Sequence, residues 1–313
     1  MKKLMFAAAL AASLIGYGEV TSANVVGYST RSITGSTFFL YGVPWQAVDG
    51  KFDLNSIVKG LTTTAEIDWD EMLQTGDIEP YIANAPHIQI QKADGGYDLF
   101  YYIKNAAYSY DEQTGKIGQA EGWCDLYGYL VGSDFCQVET LGEVTPGASV
   151  WFKDLNVDAL SKSVPQTVGQ VITEEYSITT PAEFRLRAPM LPTVFNIGDS
   201  KLVTYTDLNA SSVIDWDEML QTGDIEPYIK NAPHIQIQNE DGGYSLFYYV
   251  SNAAVSYDEN TGKVGTEPGW CNLYGYKLGS EFCEPGTGDV PVNGAFWANG
   301  VSQPFTMTFK PLK

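Results

Sequence analysis

His87-Ile88-Gln89-Ile90-Gln91, then Asp94-Gly95-Gly96, then Tyr97-Asp98-Leu99-Phe100-Tyr101-Tyr102-Ile103-Lys104 decides the fold. The first segment alternates strictly and the last is rich in aromatic residues. An Asp-Gly turn between two such segments predicts a β-hairpin. Centring the turn on Asp94-Gly95 sets Ile90 opposite Leu99 and Ile88 opposite Tyr101. One side of the hairpin is then apolar, and the other collects His87, Gln89, Gln91, Asp98, Phe100 and Tyr102. Rings offer a flat face for a sugar and amides reach its hydroxyls, so this second side is a candidate ligand face. The competing expectation is that another sheet covers it.

The hairpin occurs twice. Aligning residues 67–136 with 214–283 gives 54 identities in 70 positions. The candidate face therefore recurs as His234, Gln236, Gln238, Ser245, Phe247 and Tyr249. Six of the seven Trp fall into equivalent pairs, among them Trp69 with Trp216 and Trp123 with Trp270. Two long copies suit paired domains better than a solenoid. The expected organisation is a signal peptide over 1–23, a β domain over 24–167 and its second copy over 168–313.

Further turn signals punctuate each copy, such as Asp111-Glu112-Gln113-Thr114-Gly115-Lys116. The one helical candidate is Asp68 to Thr75, with Trp69, Met72 and Leu73 at i, i+3 and i+4 and Gly76 as a C-cap. With 31 Gly and 15 Pro between short strands, the fold class is all-β. Two tandem homologous sandwich or barrel-like domains are expected, each with at most a short helix.

The N-terminus reads as an address. Lys2 and Lys3 precede an apolar run from Leu4 to Ile15, and Thr21-Ser22-Ala23 supplies a small-residue cleavage site. That is a secretory signal layout, which places the mature chain outside the cytoplasm, in the periplasm, at the cell surface or beyond. The four cysteines fit an oxidising compartment. Cys124 and Cys136 share their spacing with Cys271 and Cys283, so one bridge within each copy is the simplest pairing. The Cys-x-x-Cys pairs of zinc sites are absent.

Two short segments carry a resemblance. Ala23-Asn24-Val25-Val26-Gly27-Tyr28 and Thr145-Pro146-Gly147-Ala148-Ser149-Val150-Trp151-Phe152 resemble a loose group of secreted bacterial β-repeat proteins. The resemblance covers about a tenth of the chain and implies secretion and repetition, with no activity attached. The second copy departs from it, with Pro291-Val292-Asn293-Gly294 in place of Thr-Pro-Gly.

Charge and motifs narrow the function. A net charge of −20 with no Lys/Arg cluster in the mature chain argues against nucleic acid and anionic membrane as partners. No phosphate-binding Gly loop, dinucleotide fingerprint, zinc His motif or Gly-x-Ser-x-Gly elbow occurs, so no cofactor and no metal are expected. Asp68, Asp70, Glu71, Asp77 and Glu79 form an acidic group without a calcium-loop pattern, read as a solvated helix face. The function expected is a secreted, non-catalytic binding or structural protein that engages a glycan or cell-surface polymer through two equivalent sites. A self-associating surface-layer or adhesive component is the first alternative. A secreted hydrolase using paired carboxylates is the second.

Overall fold

A computed structural model of the chain describes residues 26–30, 38–46, 54, 58–59, 61–92, 94–126, 136, 149–153, 164–239, 242–273, 283 and 288–311. The expected signal peptide lies outside the described residues. So do Tyr127 to Tyr129, Tyr274 to Tyr276 and Thr145 to Ala148.

The protein is all-β with a few short helices, and the described sheets are antiparallel and do not close into a barrel. The first half contributes β1 (Val26–Thr30), β2 (Phe39–Gly42), β3 (Val58–Lys59), β4 (His87–Gln91), β5 (Tyr97–Asp111), β6 (Lys116–Cys124), β7 (Ser149–Lys153) and β8 (Val164–Gln170). The second contributes β9 (Tyr176–Thr180), β10 (Arg185–Arg187), β11 (Phe195–Asn196), β12 (Val203–Thr206) and β13 (His234–Gln238). It continues with β14 (Tyr244–Asp258), β15 (Lys263–Cys271), β16 (Asp289–Val290), β17 (Phe296–Asn299) and β18 (Phe305–Phe309).

The two halves share the topology of their larger sheets, and among the described residues the second half adds a two-stranded sheet of β11 and β16. A five-stranded sheet runs β2-β7-β4-β5-β6 in the first half and β10-β17-β13-β14-β15 in the second. A three-stranded sheet runs β1-β8-β3 and, in the second half, β9-β18-β12. The expected boundary at 167/168 falls inside β8, whose partners are β1 and β3. The sheets pass from one half to the other between Gln170 and Tyr176.

In the second half the two sheets face each other across a core. Phe305, Met307 and Phe309 of β18 point into it, together with Ile235, Ile237, Phe247, Trp270 and Phe296. Between those inward residues, Thr306 and Thr308 pair hydroxyls with Thr179 and Ser177 at 3.2 and 2.8 Å on the outer face. That is the period-2 pattern of a half-buried strand. The first-half sheet buries Phe39, Tyr41, Ile88, Ile90, Phe100, Trp123, Val150 and Phe152 on the matching side.

Short helices cover part of each five-stranded sheet's other face. They are α1 (Trp69–Thr75), α2 (Glu79–Ile82), α3 (Trp216–Thr222) and α4 (Glu226–Ile229). Asp68 caps α1 by accepting from Glu71 N at 3.0 Å, and Gly76 ends it at φ 70°, a conformation that glycine adopts without strain. Trp69 and Met72 are buried as expected, whereas Leu73 is exposed. The helix is short and only its Trp69–Met72 edge meets the sheet, in a cluster with Tyr101, Ile103, Cys124 and Cys136.

The disulfides are those expected, Cys124–Cys136 and Cys271–Cys283, with Cα atoms 4.6 and 4.5 Å apart. Both fit an oxidising compartment. Among the described residues no helix is long and apolar enough to cross a membrane.

Candidate functional site

The hairpin forms, but its register differs from the expectation by one residue. His87 pairs with Tyr101, Ile88 with Phe100, Gln89 with Leu99, Ile90 with Asp98 and Gln91 with Tyr97. The cause is the turn. Lys92 N donates to Gly96 O at 2.8 Å and Gly95 N to Lys92 O at 3.0 Å, so three residues separate the last paired positions instead of two. Gly95 at φ 92° supplies the left-handed residue that such a loop requires. The second copy repeats it with Asn239, Gly242 and Gly243.

A slip of one residue exchanges the faces of a strand. Asp98, Phe100 and Tyr102, expected beside the amides, therefore share the face of Ile88 and Ile90. Phe100 is 5% exposed and Phe247 is 0% exposed, each inside its half's core. Tyr102 and Tyr249 lie at the margins of those cores, with ring centroids 5.0 Å from Trp123 and 5.3 Å from Trp270. Burial pushes the Tyr102 hydroxyl up to about 12, helped by the charge of Glu121 and a hydrogen bond to it. Trp123 and Cys124 alternate across the sheet, so Trp123 packs in the core away from the disulfide.

His87, Gln89 and Gln91 share the opposite face with Tyr97, Leu99 and Tyr101, and in this region the two halves meet. Gln91 Oε1 accepts from Leu186 N at 2.7 Å and its Nε2 donates to Phe184 O at 3.4 Å. Gln238 Oε1 accepts from Leu40 N at 2.7 Å and its Nε2 donates to Phe38 O at 2.7 Å. Phe38 and Leu40 flank or lie in β2, and Phe184 and Leu186 hold the same places around β10. Each half thus lays one glutamine amide along the edge strand of the other, as a neighbouring strand's peptide would. The pairing is reciprocal, the mark of a two-fold interface built within one chain.

Apolar contacts fill the seam between the clamps. Leu40, Leu186, Ala188 and Ala295 cluster there, and Trp151 and Trp297 meet edge to face at 6.0 Å. Trp151 pairs with Gln89 along the sheet, and Trp297 with Gln236. Gly42 N donates to Asn293 O at 2.8 Å, and any side chain at Gly42 would run into Gly294 O and Ala188. His234 contacts Phe184 at 4.9 Å and Tyr248 at 5.5 Å, and burial lowers its pKa. His87 holds the matching place, 5.7 Å from Phe38 and 5.3 Å from Tyr101.

Three of the five acids are engaged in local structure. Asp68 caps α1, Asp77 accepts from Glu79 N at 3.1 Å, and Glu71 accepts from the Tyr81 hydroxyl at 2.6 Å. That bond holds the Tyr81 pKa up at about 12. Among the described residues no three of His, Cys, Asp and Glu are grouped to hold a metal.

Sequence reading missed a second duplicated feature. The hairpins β5–β6 and β14–β15 run past the packed part of their sheets, with every residue from 108 to 116 exposed and the equivalent 255 to 263 exposed too. Tyr108 and Tyr110 stand on the first of these arms, Val255 and Tyr257 on the second, and Tyr110 and Tyr257 are both 49% exposed. Strands β6 and β15 are the outer strands of their sheets among the described residues. The Asp111–Lys116 turn marks the tip of such an arm in the sequence, but no residue pattern there shows that the arm is exposed.

No protein-family model, no curated protein and no solved structure matches this chain.

Proposed function

We infer that this is a secreted, non-catalytic structural component that associates with copies of itself through its two arms. The observation that carries the reading is the repetition of exposed apolar positions. Leu73 and Leu220, Tyr97 and Tyr244, Tyr108 and Val255, and Tyr110 and Tyr257 are large apolar side chains left exposed at equivalent places in both halves. Exposed rings on a hairpin whose second strand is outermost among the described residues are a ready contact for a similar hairpin. Two such contacts in one chain let each molecule engage two neighbours, so modest single contacts sum through avidity.

The alternative ligand face loses its support from the positions of its parts. Phe100 and Phe247 are core residues, and Gln91 and Gln238 hold the seam. Export rests on the N-terminal signal layout, and the two disulfides are consistent with it.

Sedimentation velocity across a concentration series tests the reading. The net charge of −20 opposes contact at low salt, so larger species should grow in as ionic strength rises. A single monomeric boundary at every salt and protein concentration would contradict self-association.

A further inference from the structure

A cleft of about 340 Å³ opens in the second half between β12 and the β14–β15 hairpin. Tyr205, Tyr249 and Trp270 form its aromatic walls, and Ser200, Thr204 and Glu267 supply its polar groups. The volume lies in the range of small-molecule sites. The Tyr205 and Tyr249 rings stand 5.4 and 5.3 Å from the Trp270 ring, tilted by 60° and 66°.

Two donors lie on these walls, the buried indole N–H of Trp270 and the partly exposed hydroxyl of Tyr249. Trp270 is 3% exposed, and its indole N–H, with no acceptor in full hydrogen-bonding geometry, reaches the Tyr205 hydroxyl only as a weak donor. It lies near enough to the Tyr205 hydroxyl to oppose the strong upward push that burial gives that group, while the hydroxyl itself donates to Ile197 O at 2.8 Å. The Tyr249 hydroxyl makes no hydrogen bond among the described residues; burial alone raises its pKa. A buried polar atom without a partner is uncommon in folded proteins and points to something absent from the bare chain.

The first half differs at this place. Tyr102 stands where Tyr249 does, but its hydroxyl is hydrogen-bonded to Glu121. The residue equivalent to Glu121 is Pro268, which has no side-chain acceptor. The duplication therefore leaves a tyrosine bonded within its own half in one case and, in the other, a tyrosine that lines a cleft and makes no side-chain hydrogen bond among the described residues.

We propose that this cleft binds a neutral sugar ring. Among the described residues its lining holds no Lys, Arg or His, and the charge they place there is the Glu267 carboxylate, which disfavours phosphorylated or acidic ligands. An organic ammonium would suit the rings and the carboxylate, yet its charged group offers no acceptor to the Trp270 and Tyr249 donors, and a compound such as choline has one hydroxyl where a pyranose has several. A pyranose has an apolar face for an aromatic wall, oxygens for the two donors and hydroxyls that donate to Glu267. The proposal is independent of the arms.

Saturation-transfer NMR on the full chain, with D-glucose, D-galactose, D-mannose, N-acetyl-D-glucosamine and choline as separate probes, tests it. At least one of the sugars should give a saturable response. Pro268→Glu, which installs the first half's acceptor beside Tyr249, and Tyr249→Phe should each weaken that response roughly tenfold, the scale of one hydrogen bond. Both variants should keep the wild-type melting temperature. No saturable response from any of the four sugars overturns the proposal, as does binding of choline alone. Sugar binding that survives both substitutions unchanged overturns it too.

Discussion

Asp68 and Asp215 each cap a helix at 3.0 Å, Trp69 and Trp216 donate to Asn105 O and Asn252 O at 2.9 and 2.8 Å, and Tyr81 and Tyr228 donate to Glu71 and Glu218 at 2.6 and 2.7 Å. The same comparison outside the identical stretches gives different answers. Tyr41 of β2 is wholly buried in the first core, while its counterpart on β10 is Arg187, whose guanidinium donates to Thr179 O at 2.8 Å. Burial lowers the Arg187 pKa to about 10. Glu121 holds the Tyr102 hydroxyl, whereas Pro268 offers that of Tyr249 no such acceptor. Around these helices identical residues reproduce the same bonds to within a tenth of an ångström, and where the residues differ the contacts differ too.

The largest way to break the equivalence is through the cores. Phe100→Ala and Phe247→Ala should each cost about 3–5 kcal/mol in urea unfolding, because each leaves a cavity where a full ring is packed. A cost under about 1 kcal/mol at either position would mean that the ring is not core. Removing one disulfide at a time, as Cys124→Ser with Cys136→Ser or Cys271→Ser with Cys283→Ser, should cost about 3 kcal/mol in either half. Equal shifts in the two halves would affirm the equivalence, and a large difference would break it.

The seam is expected to respond less, and unequally. Gln238 is buried with both of its bonds to β2 at 2.7 Å, while Gln91 has one bond at 2.7 Å and one at 3.4 Å. Gln238→Ala should cost about 1–3 kcal/mol and Gln91→Ala less, since truncation leaves the partner strand's backbone groups unpaired. The smallest effect is spectroscopic. Tyr81, Tyr228 and Tyr102 have folded pKa values raised to about 12 from an ordinary 10.0. A raised pKa stabilises the fold fully below the ordinary value and loses that contribution as pH climbs through the folded one. Absorbance titration should therefore show these three ionising late, with Tyr81→Phe and Tyr228→Phe each removing one late step. Ionisation of all tyrosines near pH 10 would contradict the hydrogen bonds to Glu71 and Glu218.

Much of the fold was legible in the chain. Alternation in His87–Gln91 marked β4, Asp68 and Gly76 marked the ends of α1, and the repeated cysteine spacing marked both bridges. The register was not legible. Asp94-Gly95-Gly96 supports loops of two or three residues, and the difference moves Phe100 from one face of the sheet to the other. The expected ligand face is not assembled for that reason, and because a glutamine on a strand looks the same whether it meets a ligand or a distant edge strand. Nothing near Gln91 or Leu186 in sequence signals that they touch 95 positions apart. Exposure of Tyr110 and Tyr257 was hidden likewise, since a tyrosine on a hairpin is written identically under a second sheet and in solvent.

The central claim is that duplicated arms make one chain bivalent toward its own kind. Sedimentation velocity at moderate salt, on the wild type, Tyr110→Ser, Tyr257→Ser and the double variant, tests it most directly. Wild type should form species larger than dimers as concentration rises, each single variant should stop at dimers, and the double variant should remain monomeric. Identical profiles for all four proteins would contradict the claim.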